Sequence, residues 1–268
     1  ARRDPYHRVV GNLCGECRGL WVPNVNYPPA PGDLENAMDD NTAAIYVAAS
    51  GWVAPGFMAL REVVAIARAR GVPVIVDAAA RLPPVENLWK YTEMGVTCTL
   101  FSGGKDLRGP QASGLMVGGA EFHEVVASIA FPNYGIGRMM RVGREEMIGL
   151  YAAVKQYVEM DHDARYEWCE EQIRKIRAGL ADKAVFNVQR SYPNEAGQPI
   201  ARAFVELTDA ARTPASLQEH LLRNSPPIYA YTEDRNGGFV NPMSLRDGET
   251  EIIIDCPATL RRGVKTTS

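Results

Sequence analysis

The chain has 268 residues, 46% hydrophobic and 23% charged, which suits a globular protein with a sizeable core and fits one large domain or a large one plus a small one. A formal net charge of −3 argues against a surface built for nucleic acid or an anionic membrane. Five cysteines, an odd number without a disulfide-like framework, point to a reducing, cytoplasmic setting.

The N-terminal Arg2, Arg3 and Asp4 are followed by no apolar core, so the start of the chain does not read as a signal peptide. Cys14-Gly-Glu-Cys17 has the spacing of half a zinc site or of a redox pair, but no second CxxC or histidine pair completes it, and no metal is expected. Asn41 to Leu60 carries no charge and is long enough to span a bilayer. Ser50-Gly51 and Pro55-Gly56 break it, so it reads as strand, loop and helix start, and no membrane segment is expected.

"AAIYVAAS" (43–50) predicts a buried strand. Leu60, Val63, Val64 and Ala67 then share one helical face, ended by Gly71. "VPVIVDAAA" (72–80) is a second strand, continuous in Val and Ile as in a parallel sheet covered on both faces. A helical piece from Val85 to Met94 leads to a third strand, "VTCTLFS" (96–102). Strand and helix in alternation predict an α/β domain with a parallel-rich sheet, placed at 1–150. The Gly- and Arg-rich loop "FPNYGIGRMMRVGREE" precedes a long helical region. That region has Met147, Leu150, Tyr151, Val154 and Val158 on one face and continues through Trp168, Ile173, Ile176 and Leu180. From about residue 185, "VFNVQ", "ARAFVEL", "PPIYAY", "GGFVNP" and "TEIIID" predict short strands, with Thr213-Pro214 opening a helix as N-cap and first-turn proline. A smaller α+β domain is therefore expected within 151–268.

Ligands of open parallel sheets bind at the carboxyl ends of the strands. Asp77 closes one strand, and "FSGGKDLRGPQASG" (101–114) leaves the next with Lys105 behind two glycines. Taken singly, Lys105 is as readily a solvated loop lysine and Asp77 a helix cap. A phosphate loop does not fit, because GxxxxGK[ST] is absent and Asp106 follows the lysine. On neighbouring strand ends the two suit pyridoxal phosphate (PLP), which needs an amine for its aldehyde and a carboxylate to keep its ring nitrogen protonated. Gly104 lets the backbone approach the cofactor, Ser102 reaches its phosphate, and Ala79 is small enough to lie against the ring.

"VIVDAAARLPPVENLWKYTEMGV", "FSGGKDLRGPQASGLMVGG", "PNYGIGRMMRVGREEMIGL" and "NPMSLRDGETEII" together resemble PLP enzymes of the aspartate aminotransferase fold type. More narrowly they are similar to the group around bacterial selenocysteine synthase, which includes the D-glucosaminate-6-phosphate ammonia-lyases; the GGK-x-LRGPQ and DAAA-x-LPP forms are nearest to the latter. The resemblance runs from about residue 33 to 255. It implies a PLP-binding large domain with a small C-terminal α+β domain, Lys105 as Schiff-base lysine and Asp77 as pyridinium partner. Gly109, Pro110 and Gln111 would lie beside the cofactor at a subunit boundary of a homodimer. Members of the group carry a longer N-terminal part, with a phosphate-cupping loop and a ring-stacking residue that nothing here matches. Arg138 in "GIGR", with Arg235 beyond "PPIYAYTEDR", is the candidate for an anionic substrate group.

The implied activity is α,β-elimination from an anionic β-hydroxy amino acid or amino-sugar acid, giving a 2-keto acid and ammonia. Selenium transfer on seryl-tRNA is the alternative, disfavoured by the acidic charge. A racemase or aldolase outcome, and a non-catalytic paralogue acting as a scaffold, also remain open.

Overall fold

The computed structural model describes residues 30–49, 58–194, 196–209, 213–233 and 236–256. The cysteine pair 14/17, the break at 50–57 and Arg235 lie outside them. The chain divides into two compact units, Ala1–Glu159 and Met160–Ser268.

In the first unit, helix α1 (Pro31–Ala37) precedes β1 (Ile45–Ala48), α2 (Leu60–Ala69), β2 (Val74–Asp77), α3 (Asn87–Glu93), β3 (Cys98–Ser102) and β4 (Gly114–Gly118). Helix α4 (Ala120–Ile129), a 3-10 turn (Arg138–Met140) and α5 (Arg144–Glu159) follow. The sheet runs β1-β2-β3-β4, parallel except for β4, which pairs antiparallel with β3. The fold is thus α/β with a mixed, mostly parallel sheet. Helix α2 buries Val63, Val64, Ile66 and Ala67, and Gly71 terminates it in the left-handed region at φ +66.

The two faces of the sheet are not equally covered. Val74, Val76, Thr99 and Phe101 are buried on one face, whereas on the other Cys98 is buried but Ile75, Asp77, Leu100 and Ser102 are only half-buried and Tyr46 is 51% exposed. Coverage of both faces, expected from the unbroken Val/Ile run, is therefore incomplete on the side that carries Asp77.

Helix α5 corrects a second expectation. Of the residues read as one apolar face, Leu150 and Val154 are half-buried, whereas Met147, Tyr151 and Val158 are exposed. Its packed side runs through Gly149, Leu150, Ala153 and Tyr157, against Pro110, Gly103, Gly109 and Asp106 respectively or in common. Two apolar stripes share this helix, and the sequence pattern does not say which one the chain itself covers.

In the second unit, the expected continuous helix begins anew as α6 (His162–Leu180), whose N-cap Asp161 accepts from the Ala164 N–H. Strands β5 (Phe186–Ser191), β6 (Arg202–Leu207), β7 (Tyr231–Glu233) and β8 (Gly237–Val240) form an antiparallel sheet in the order β5-β6-β8-β7. Helix α7 (Pro214–Leu222) starts as expected, with the Thr213 hydroxyl accepting from the Ser216 N–H and proline in the first turn. The core gathers Ile173, Ile176 and Leu180 of α6 with Phe186, Ala203 and Leu207 of the sheet. "TEIIID" is not a strand but helix α8 (Glu249–Asp255), with Thr250 and Ile253, three apart, buried. A short apolar run serves a buried strand or a helix equally well, and Gly248 at φ +85 turns the chain into the helix. "PPIYAY" contributes only Tyr231 to a strand, because Pro226 and Pro227 have no N–H to donate to a ladder. Among the described residues no helix is long and apolar enough to cross a membrane.

Candidate active site

Strand β2 ends at Asp77 and β3 two residues beyond its partner Leu100, so both chains leave the sheet at the same carboxyl edge. Asp77 is half-buried, and both of its oxygens are engaged. Oδ1 accepts from the Ala79 N–H at 2.9 Å and Oδ2 from the Tyr46 hydroxyl at 2.7 Å. Tyr46 lies opposite Ile75 in the register, on the same face as Asp77, and reaches along the strand to the carboxylate. Two donors on separate oxygens fix the carboxylate's rotation.

The turn that carries Lys105 is tied on itself. The Gly103 N–H donates to the Ser113 carbonyl (2.9 Å), the Gly109 N–H to the Gly103 carbonyl (2.8 Å) and the Arg108 N–H to the Lys105 carbonyl (2.9 Å). Gln111 Nε2 donates to the Gly104 carbonyl at 3.0 Å, and the Ser113 hydroxyl to the Pro110 carbonyl at 2.6 Å. Arg108 takes the left-handed conformation at φ +57. Lys105 is exposed, whereas Asp106 and Leu107 behind it are buried.

The paired glycines have a local reason. A Cβ on Gly104 would sit 2.7 Å from Gln111 Cα, and one on Gly103 would sit 2.9 Å from the Ser113 carbonyl oxygen and 2.9 Å from Leu150 Cδ1. Their close approach is thus to the far arm of the same turn, not only to a ligand. Gly103→Ala is expected to cost about 1–3 kcal/mol of stability by overpacking, read as a lowered denaturation midpoint.

The residues singled out in the sequence fall into three groups. Asp77 and Ala79 lie at the end of β2, and Ser102, Gly104, Lys105 and Gln111 at the end of β3 and in its turn. Arg138 stands apart in the 3-10 turn, its guanidinium 4.2 Å above the Tyr134 ring and 5.6 Å from that of Phe131, with Nη1 donating to the Pro132 carbonyl. Tyr46, and the buried bond from the Tyr157 hydroxyl to Asp106 Oδ2 at 2.6 Å, had no counterpart in the sequence reading. Cys98, at the start of β3, is buried, and burial pushes its thiol pKa up, which makes it a packing residue rather than a nucleophile.

No protein-family model matches the chain. It is 32% identical over 246 residues to a 5'-C-glycyluridine monooxygenase-decarboxylase of a Streptomyces species, covering 89% of this chain and 59% of that protein. It is 26% identical over 227 residues to D-glucosaminate-6-phosphate ammonia lyase of Salmonella typhimurium, covering 82% and 58%. An L-seryl-tRNA(Sec) selenium transferase of Solidesulfovibrio magneticus is 28% identical over 258 residues, covering 82% and 53%. This chain therefore spans little more than half the length of these relatives. Among solved structures, a D-glucosaminate-6-phosphate ammonia-lyase superposes with a TM-score of 0.68 at 24% identity, over 86% of this chain and 60% of that one, a likeness of fold.

Proposed function

From a chain related to D-glucosaminate-6-phosphate ammonia lyase and to the seryl-tRNA(Sec) selenium transferases, with the fold of the aspartate-aminotransferase-like PLP enzymes, we infer a PLP-dependent lyase. Its substrate is an anionic β-hydroxy amino acid or amino-sugar acid, and its products are a 2-keto acid and ammonia. The observation that carries this reading is the β2–β3 pairing, which brings a held carboxylate and a turn lysine to one sheet edge.

The donor set fits the cofactor. Asp77 offers a carboxylate for the ring nitrogen, Lys105 a primary amine for the aldehyde, and the face between them is the less covered one. Bound PLP supplies an electron sink for charge developing at the substrate Cα. Asp77 would hold the proton on the ring nitrogen, since an opposite charge at hydrogen-bond distance raises that nitrogen's pKa. Ser102 would donate to the phosphate, Gly104 would let the backbone pass close to the cofactor, Ala79 would leave room for the ring, and Gln111 keeps the turn closed. Lys105 Nζ, once free, takes the Cα proton and delivers it to the departing β-hydroxyl oxygen, acting as base and then acid. The water lost in elimination is regained on hydrolysis, so the substrate is converted to keto acid and ammonia without a co-reactant. Arg138 keeps N–H donors in its plane while its face stacks on Tyr134, which suits it to an anionic substrate group, with Arg235 as the second candidate.

Incubation of the PLP-loaded protein with phosphorylated and free β-hydroxy amino acids and amino-sugar acids, followed by assay of ammonia and keto acid, tests the reading. Stoichiometric release of both supports it; inversion at Cα without ammonia makes the protein a racemase. The 32% identity to the monooxygenase-decarboxylase favours a second reading, in which the same Cα charge is committed to decarboxylation with dioxygen. Oxygen uptake and carbon dioxide release in the same panel separate the two.

The small-molecule substrate would be handled in a homodimer. Ile129, Phe131, Ile136, Met140, Ile148 and Tyr151 are exposed large apolar side chains of α4, α5 and the loop between them, a set that a second copy would cover. A second copy covering it would bring the Gly109–Gln111 segment to the boundary. Light scattering at micromolar concentration is expected to give twice the 29.4 kDa chain mass, and a monomer mass refutes the assembly.

A further inference from the structure

The buried pair on the lysine turn has no part in the chemistry above. Asp106 is 6% exposed and Tyr157 1%, and the 2.6 Å bond between them is as short as a hydroxyl-to-carboxylate bond becomes. A buried carboxylate is a costly way to fill space that a leucine would fill without desolvation, as the neighbouring buried Leu107 does. This carboxylate stands directly after Lys105. Asp106 turns inward to Tyr157 of α5, while Lys105 stays exposed in the turn that leaves the carboxyl edge of β3. The Arg108 N–H on the Lys105 carbonyl closes a turn over 105–108 that contains Asp106. Holding Asp106 therefore also fixes the direction in which Lys105 departs.

We propose that the Asp106–Tyr157 bond is a positioning device that holds the turn so that Lys105 leaves it on the sheet edge where Asp77 ends. The proposal rests on the PLP reading of Lys105. Without the anchor, the turn visits conformations in which the amine points elsewhere. Apparent cofactor affinity then falls with the fraction of molecules that remain competent.

The experiment titrates purified chain and variants with PLP, following the absorbance as Nζ condenses with the aldehyde and water leaves. Borohydride then fixes the product for peptide mapping. Tyr157→Phe should bind PLP about tenfold more weakly, as expected when the competent fraction drops by that factor, with the pyridoxyl group still on Lys105. Asp106→Asn, which keeps an acceptor for the Tyr157 hydroxyl, should stay within about twofold of the parent. The paired variant Asp106→Leu with Tyr157→Phe separates aim from stability, because replacing both partners by apolar groups restores folding without restoring the bond. Recovery of the melting midpoint with affinity still about tenfold low supports the positioning role. Parental affinity in that pair overturns it and leaves only a structural contact. A pyridoxyl group on a lysine other than Lys105 in the parent protein overturns the PLP reading itself, and the positioning role with it.

Discussion

Lys105→Ala is expected to carry no covalent pyridoxyl group after borohydride treatment and to lose ammonia release by about 10²–10⁴-fold, the range for removing a positioned general acid–base group. Lys105 is an exposed residue of a turn whose glycines pack against Ser113 and Gln111, and its own carbonyl is held by Arg108. Truncating it removes an outward side chain and leaves those contacts in place. The variant should therefore fold with a parental melting midpoint, which keeps the kinetic loss attributable to the amine. A pyridoxyl group recovered elsewhere, or turnover within tenfold of the parent, refutes the assignment.

Asp77→Asn should retain bound PLP and lose turnover by about 10²–10³-fold, the cost of removing one preorganised electrostatic partner of the developing charge. The amide oxygen can still accept from the Ala79 N–H, and the amide NH2 can donate to the Tyr46 hydroxyl once that hydroxyl turns to accept, so the end of β2 should keep its shape. What it loses is the negative charge that holds a proton on the ring nitrogen. Parental turnover in this variant would show that the ring works unprotonated and that Asp77 is structural.

Most of the site-bearing sheet was legible because its signals are local. A continuous Val/Ile run ending in Asp77, a helix stopped at Gly71 and a third strand running into Ser102 each declare themselves within about ten residues. What was not legible needs partners from afar. Tyr46 meets Asp77 across 31 residues and Tyr157 meets Asp106 across 51, and no periodicity encodes either meeting. Strand β4 also escaped notice, being five residues bounded by glycines. "TEIIID" failed for a different reason: it is apolar enough for either a strand or a helix, and only burial three residues apart distinguishes them. In α5 the period was right and the face only partly so: Leu150, in the stripe read from the sequence, packs on the lysine turn, while Met147 and Tyr151 of that stripe face outward and Tyr157 packs from outside it.

The antiparallel return of β4 has a further consequence. Ser102 pairs with Gly114, so segment 103–113 is a loop whose two ends are already clamped by one hairpin. Closing so short a segment costs little chain entropy, and its contacts have low sequence separation. The turn that carries Lys105 can therefore take its shape early in folding, as soon as two neighbouring strands zip together. The carboxylate at Asp77 needs the longer crossover through α3 before its strand lies beside β3. The two halves of the proposed centre thus mature on different schedules, the amine first and its acidic counterpart later.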